Sequence, residues 1–321
     1  GHAPLVDGAD GNLRFEIARS DVWSCGYDPR LPIGYLRLQL AGAMQHGSMN
    51  QSLAQGAIFG RVTTSKGTVA FKVFTPATAR LSVLEWSASG GESAATLELV
   101  NEVAIGRNMF GHDRINPPAR CGSEGSGESV CVQQLACGGE EGANVTSALK
   151  QISVGDRNLA FVSVGSFQPT AQQYPPHRGP LDSRQEALAQ VRSSATQTGA
   201  AALWAAHTAH WLRFWGEGSQ NSFVSIPDTR LEALYFITQA KLQGAMSSSA
   251  APSGISDQLG PFRGDMSRPA NRDPLSNGSS WVGLWFDWNV EENYWGVARA
   301  NHVDLFDGLM HGLKLPQARE A

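Results

Sequence analysis

Charge is scarce in this chain of 321 residues: Asp, Glu, Lys and Arg together make up 17% of it, and the net charge is -4. No run of lysines and arginines forms the basic stripe that phosphate neutralisation requires, so neither nucleic acid nor an anionic membrane surface is an expected partner. No apolar run approaches the ~20 residues that cross a bilayer. The opening Gly1-His2-Ala3-Pro4 has neither the charged region nor the apolar stretch of a signal peptide, so any leader is expected to be gone already. No Gly-rich phosphate loop follows a strand and no Gly-x-Ser-x-Gly elbow occurs, which leaves nucleotide and serine-hydrolase chemistry without support. Cysteines number four. Cys121, Cys131 and Cys137 fall close together in a Gly/Ser-rich stretch, with Cys25 far upstream. The spacing lacks paired Cys-x2-Cys groups and nearby histidines, so the expectation is a flexible loop closed by a disulfide, with no metal and no cofactor.

What the chain does have is 41% hydrophobic residues, enough for a sizeable core. Up to about residue 175, short β-branched and aromatic segments alternate with Gly, Pro, Ser and Asn. Leu36 to Leu40 and Phe71 to Phe74 show the period of two that a half-buried strand produces. Further strands are expected at 13–17, 57–63, 79–85, 96–103, 129–136, 148–153 and 159–167. Strands this short and regularly spaced read as an antiparallel sandwich over residues 1–175.

After the Pro/Gly-rich run at 175–180 the period becomes helical. Residues 176–227 read as a linker with one long helix, capped by Asp182 or Ser183 and carrying Leu188, Val191, Leu203, Trp204, His207, Trp211 and Phe214 on its apolar side. A second helix is expected from Asp228 to about Met246 and a third from about Asn289, with a long loop over 247–280 between them. Leu305, Phe306, Leu309 and Met310 form an apolar stripe expected to pack on something outside the chain. Two sequons, at Asn144 and Asn277, sit in turn-like contexts; with the expected disulfide they point to an extracellular, secreted glycoprotein.

The densest chemistry lies between Trp285 and Trp295, where aromatics, amides and carboxylates are interleaved as in sugar-processing clefts. Taken in order, the runs Ala206 to Trp215, Asp228 to Phe236, Ile255 to Phe262 and Trp285 to Trp295 resemble the start of the catalytic domain of family 95 glycoside hydrolases. Residues Ser20 to Trp23 with Leu36 to Leu38 similarly resemble the sandwich of that group. The resemblance implies an α+β multidomain architecture: an N-terminal antiparallel β-sandwich, a helical linker, and over 228–321 the first helices of an incomplete (α/α)6 barrel. It also implies inverting hydrolysis of α-L-fucosyl or α-L-galactosyl glycan ends. The barrel would be completed by a second chain or a further C-terminal segment.

The family block reads Asn-x-Asn-x-x-x-Asn-Tyr-Trp. By that resemblance Asn289 is the water-positioning amide, Asn293, Tyr294 and Trp295 close the block, and Asp287 stands where the family has its first Asn. A carboxylate there is itself a competent general base. Inverting hydrolysis also needs an acid on the opposite face of the sugar, and the family's acid lies on later helices with no counterpart in 1–321. Trp285, Trp288 and Trp295 read either as a sugar-stacking platform or as core. Asp257 and Gln258, with Asp265, read either as hydroxyl-binding groups or as ordinary loop polars. Asn289 with Glu292 also has the spacing of a helix N-cap and its N3 carboxylate. His207 and His210, on a Trp-rich face, read as packed histidines rather than ligands. The same features suit a noncatalytic carbohydrate-binding or structural glycoprotein.

Overall fold

The computed structural model describes residues 11–17, 33–101, 105–106, 114–135, 143–167, 182–216, 224–245 and 288–307. Strands β1 (Asn12–Ile17) and β2 (Gly34–Gln39) are followed by β3 (Met44–Ser52), β4 (Ala57–Thr64), β5 (Gly67–Phe74) and β6 (Leu81–Gly90). Then come β7 (Thr96–Asn101), the two-residue pair β8 (Ile105–Gly106) and β9 (Arg114–Ile115), β10 (Arg120–Gly125), β11 (Glu128–Gln134), β12 (Asn144–Val154) and β13 (Arg157–Phe167). β1, β2 and β7 make a three-stranded sheet; an eight-stranded sheet runs β10-β11-β12-β13-β6-β5-β4-β3. Every pairing in both is antiparallel. The large sheet is thus two four-stranded meanders joined along β6 and β13.

The alternation read in the sequence explains the layering. Leu13, Phe15 and Ile17 of β1 with Leu36 and Leu38 of β2 project from the small sheet onto Val62, Val69, Phe71, Leu84, Trp86, Leu149 and Val162 of the large one. The opposite face of the large sheet is covered by helices α1 (Ser183–Ser194) and α2 (Gln197–Trp215), which bury Ala187, Leu188, Val191 and Ala200 against Phe74, Val83, Ala148 and Phe161. Covered on both sides, β13 is buried without a break from Leu159 to Ser166, which is why its sequence reads as a nearly continuous apolar run.

The expected architecture is corrected here. Among the described residues the chain is mostly β, built on the eight-stranded antiparallel sheet, with only four helices and none of the paired helical ring of an (α/α)6 barrel. Helical periodicity says that a face will be buried but not against what: α1 and α2 spend theirs on the sheet. The long linker helix is in fact these two, separated at Ala195, because Asp182 caps α1 by accepting from the Arg184 and Gln185 amides and Thr196 caps α2 by accepting from the Gly199 amide. Helices α3 (Thr229–Ala245) and α4 (Trp288–Arg299) gather at the C-terminal end of α2, where Trp211, Phe214, Ala240, Tyr294, Val297 and Leu305 form a third, smaller core. Leu305 is buried in it and Phe306 packs on it, so that part of the apolar stripe turns inward; Leu309 and Met310 lie outside the described residues.

The Gly/Ser stretch between Cys121 and Cys131 is not a loose loop but the β10–β11 hairpin, with the two cysteines directly opposite and disulfide-bonded. Cys25 and Cys137 lie outside the described residues. β10 is an edge strand with every residue exposed, so the disulfide supplies a fastening that burial does not. Closing so short a segment restricts the unfolded chain by about 2–3 kcal/mol. Replacing both Cys121 and Cys131 with alanine is expected to lower stability to urea by that amount. Unchanged denaturation would show that the bridge fastens nothing. Among the described residues no helix is long and apolar enough to cross a membrane.

Candidate functional site

Helix α4 carries the sequence block singled out above from Trp288 onwards, and its anchoring is explicit. Tyr294, Val297 and Ala300 are buried, the first two in the small core, while Trp295 is 59% exposed. Thus Trp295 is not a core residue, whereas its neighbour Tyr294 is. The helix stops in a Schellman turn: Asn301 has φ 63, its amide donates to the Ala298 carbonyl, and the His302 amide donates to the Val297 carbonyl. The turn drives His302 under α2, where its ring stacks on Phe214 at 4.0 Å and 12°. α4 begins at Trp288, so Asn289 lies within its first turn rather than at a cap, and Asn293 follows one turn later. Asp287, Trp285, Asp257, Gln258, Asp265 and Asn277 lie outside the described residues.

An aromatic column ties this helix to the sheet. Phe74 of β5 meets Trp204 at 4.9 Å and His207 at 5.0 Å; further along α2, Trp211 meets Phe214, which carries His302. Two side-chain hydrogen bonds pin α2 to the β3–β4 turn: His207 Nε2 donates to the Gly56 carbonyl at 3.2 Å and Trp215 Nε1 donates to the Leu53 carbonyl at 2.8 Å. On α3, the Gln243 amide nitrogen stands 2.7 Å from His210 Nε2. Three of the four runs behind the family resemblance therefore meet in one cluster; the fourth, 255–262, lies outside the described residues.

Burial governs the electrostatics. It pushes the His207 imidazole down to about 4 and also lowers His210 and His302 below the ordinary range; Arg213 adds to the effect on His210. Burial pushes the Tyr294 hydroxyl up to about 12, and among the described residues that hydroxyl has no hydrogen-bond partner. At neutral pH these groups are uncharged polar members of the packed cluster rather than an acid–base pair. Among the described residues no three His, Cys, Asp or Glu side chains converge as metal ligands would.

A groove of about 300 Å³ lies between α1 and the β10–β11 hairpin, lined by Glu124, Asp182, Arg184, Gln185, Leu188 and Arg192 among others. Its charges neutralise one another. Arg184 pairs with Glu124, and Arg192 reaches both carboxylate oxygens of Glu128, which also pairs with Lys150 at 3.2 Å. The Arg192 hydrogen bonds, against the opposing effect of burial and with help from Lys150, hold the Glu128 carboxyl below its usual range. The groove fastens the hairpin to α1. Asn144 opens β12 close by, half-buried, its amide oxygen accepting from the Ser183 hydroxyl.

Sequence reasoning did not single out Gln243 or assign His302 a place. Gln243 pairs with a residue 33 positions away, for which no local pattern exists. The Asn301 turn did leave a signal, an Asn just past the last apolar residue of a helix. No protein-family model matches the chain, and no curated protein matches it.

Proposed function

We propose that this chain belongs to a secreted, glycan-directed protein of the inverting glycoside hydrolase type, acting on α-L-fucosyl or α-L-galactosyl ends through the block on α4. The observation that carries the reading is the exposed indole of Trp295, held out from a helix rooted in the core by Tyr294 and Val297. An aromatic face on a rigid support is what stacking on the apolar face of a sugar requires. In this reading Asn289 orients the attacking water, Asp287 takes its proton, and Asn293, Asp257 and Gln258 bind sugar hydroxyls, while the acid that must protonate the leaving glycosidic oxygen is assigned to no residue of 1–321. Glycosylation at Asn144 and Asn277 belongs to the same secreted setting, which the Cys121–Cys131 disulfide supports.

A second reading, glycan binding without turnover, is favoured by one feature: Asp287 stands where the family keeps an amide. Release of free fucose or galactose from a suitable glycan separates the two. Under either reading Trp295→Ala is expected to weaken binding, or kcat/KM, about 30-fold, the equivalent of about 2 kcal/mol for a stacked Trp anchor. Its exposure means the variant should keep the wild-type circular dichroism spectrum. A wild-type protein that neither binds nor cleaves fucosyl or galactosyl glycans would overturn both readings.

A further inference from the structure

An apolar core joins the α3–α4 layer to α2, and the polar and stacking contacts along the path from sheet to layer run through three imidazoles, His207 on the sheet side of α2 and His210 and His302 on its far side. His207 reaches the β3–β4 turn, His210 reaches α3, and His302 reaches α2 from the end of α4. Since the Gly56 carbonyl can only accept, the bond from His207 Nε2 fixes the tautomer, leaving the lone pair on the buried Nδ1, which no group among the described residues hydrogen-bonds. The ring packs against Phe74, Trp204 and Trp211, and burial there outweighs the Gly56 and Gln55 carbonyls, which favour the charged form. The charged groups that face His207 are Lys72 of β5 and His210 of its own helix, both cations or potential cations. His210 accepts from the Gln243 amide, so protonating its Nε2 would set donor against donor. Arg213 faces it from its own helix, and Asp304, after α4, is the carboxylate facing His210 and His302.

The body is fastened by groups of the opposite kind. Glu85, Glu92 and Glu128 all lie below the ordinary carboxylate range: burial opposes the shift for Glu85 and Glu92, but Lys72 and Arg157, or three hydrogen bonds, outweigh it, and Arg192 leads for Glu128. The two sets therefore fail in different windows. Depressed carboxylates contribute stability that is lost only as pH falls below their ordinary range. Depressed imidazoles contribute stability that is complete above the ordinary histidine range and is lost as pH falls from about 6.5 towards the folded value, about 4 for His207.

We propose that the seating of the α3–α4 layer on α2 is an acid-sensitive latch: in mildly acidic solution the imidazoles take up protons by leaving their pockets, and the layer that carries Trp295 lets go while the two-sheet body stays folded. The latch does not depend on the glycan reading.

Hydrogen exchange on the whole chain at about pH 7 and about pH 5, corrected for intrinsic rates, tests it. The expected result is that α4 and α3 amides lose protection about tenfold or more at the lower pH while β12 and β13 amides keep theirs. Equal protection of both regions at about pH 5, or loss from both together, would overturn it. His210→Gln, which keeps an acceptor for the Gln243 amide but cannot take up a proton, is expected to move the loss of α4 protection to lower pH. An unmoved profile in a folded variant counts against the latch, and if the variant does not fold, the wild-type comparison decides alone.

Discussion

Replacing Gly165 with alanine is expected to cost at least about 3 kcal/mol, at or beyond the upper end of ordinary overpacking. A Cβ there would lie 1.9 Å from the Ser183 carbonyl oxygen, 2.8 Å from its carbon and 3.1 Å from the Ala187 nitrogen. These are backbone atoms, which cannot rotate aside as a side-chain tip can. Nor can α1 slide away cheaply. Ser183 is 2.6 Å from Thr146 Oγ1, the Ser166 amide donates to Glu186 at 3.1 Å, and α1 closes the core over Ala148 and Phe161. Urea denaturation of Gly165→Ala beside Gly244→Ala gives the comparison, because a Cβ at Gly244 meets no described residue within 4 Å. The second is expected to be neutral or slightly stabilising in its helix. A loss below about 1 kcal/mol for Gly165→Ala would mean that α1 does not seat on β13 so closely.

Glu92→Ala is expected to be comparably severe. The carboxylate has no exposed surface and accepts from the Ala41 amide at 2.9 Å, the Gly42 amide at 2.7 Å and Thr64 Oγ1 at 2.5 Å. Its removal strands three donors at about 1–3 kcal/mol each; with water able to reach part of the gap, the net loss should be about 4 kcal/mol. Glu92→Gln keeps the shape but turns an NH2 towards a donor, so about 2 kcal/mol is expected. The sign with pH is fixed by the same contacts. Burial alone would raise the carboxyl, but the bonds from Thr64, Ala41 and Gly42 win and lower it. The stability it adds is therefore present above the ordinary carboxylate range and disappears as pH falls below it. The wild-type advantage over Glu92→Gln should shrink in acid; an advantage that grows there would refute this account.

Legibility followed the range over which each signal acts. β5 reads as a strand because Val69 and Phe71 alternate with half-exposed Ala70 and Lys72 within one short run. β3 and β10 went unread: their Gly, Ser, Gln and Asn content gives no alternation, and the ladder to a neighbouring strand holds them in place. The α4 block was legible as a helix with an exposed aromatic only in part, since nothing local distinguishes Trp295, facing water, from Tyr294, facing the core.

The sequence by itself determined most of the strands and the starts of α1 and α3, because alternation and capping by Asp182 and Asp228 act within a few residues. Only the tertiary structure decided that the linker helices α1 and α2 lie on the sheet, that α3 and α4 gather at the end of α2 rather than opening a barrel, that the Cys121–Cys131 stretch is a hairpin, and that His210 and His302 stand where that layer meets α2. Those outcomes depend on partners such as Gly56 and His207, 151 residues apart, which are chosen by shape and burial in three dimensions.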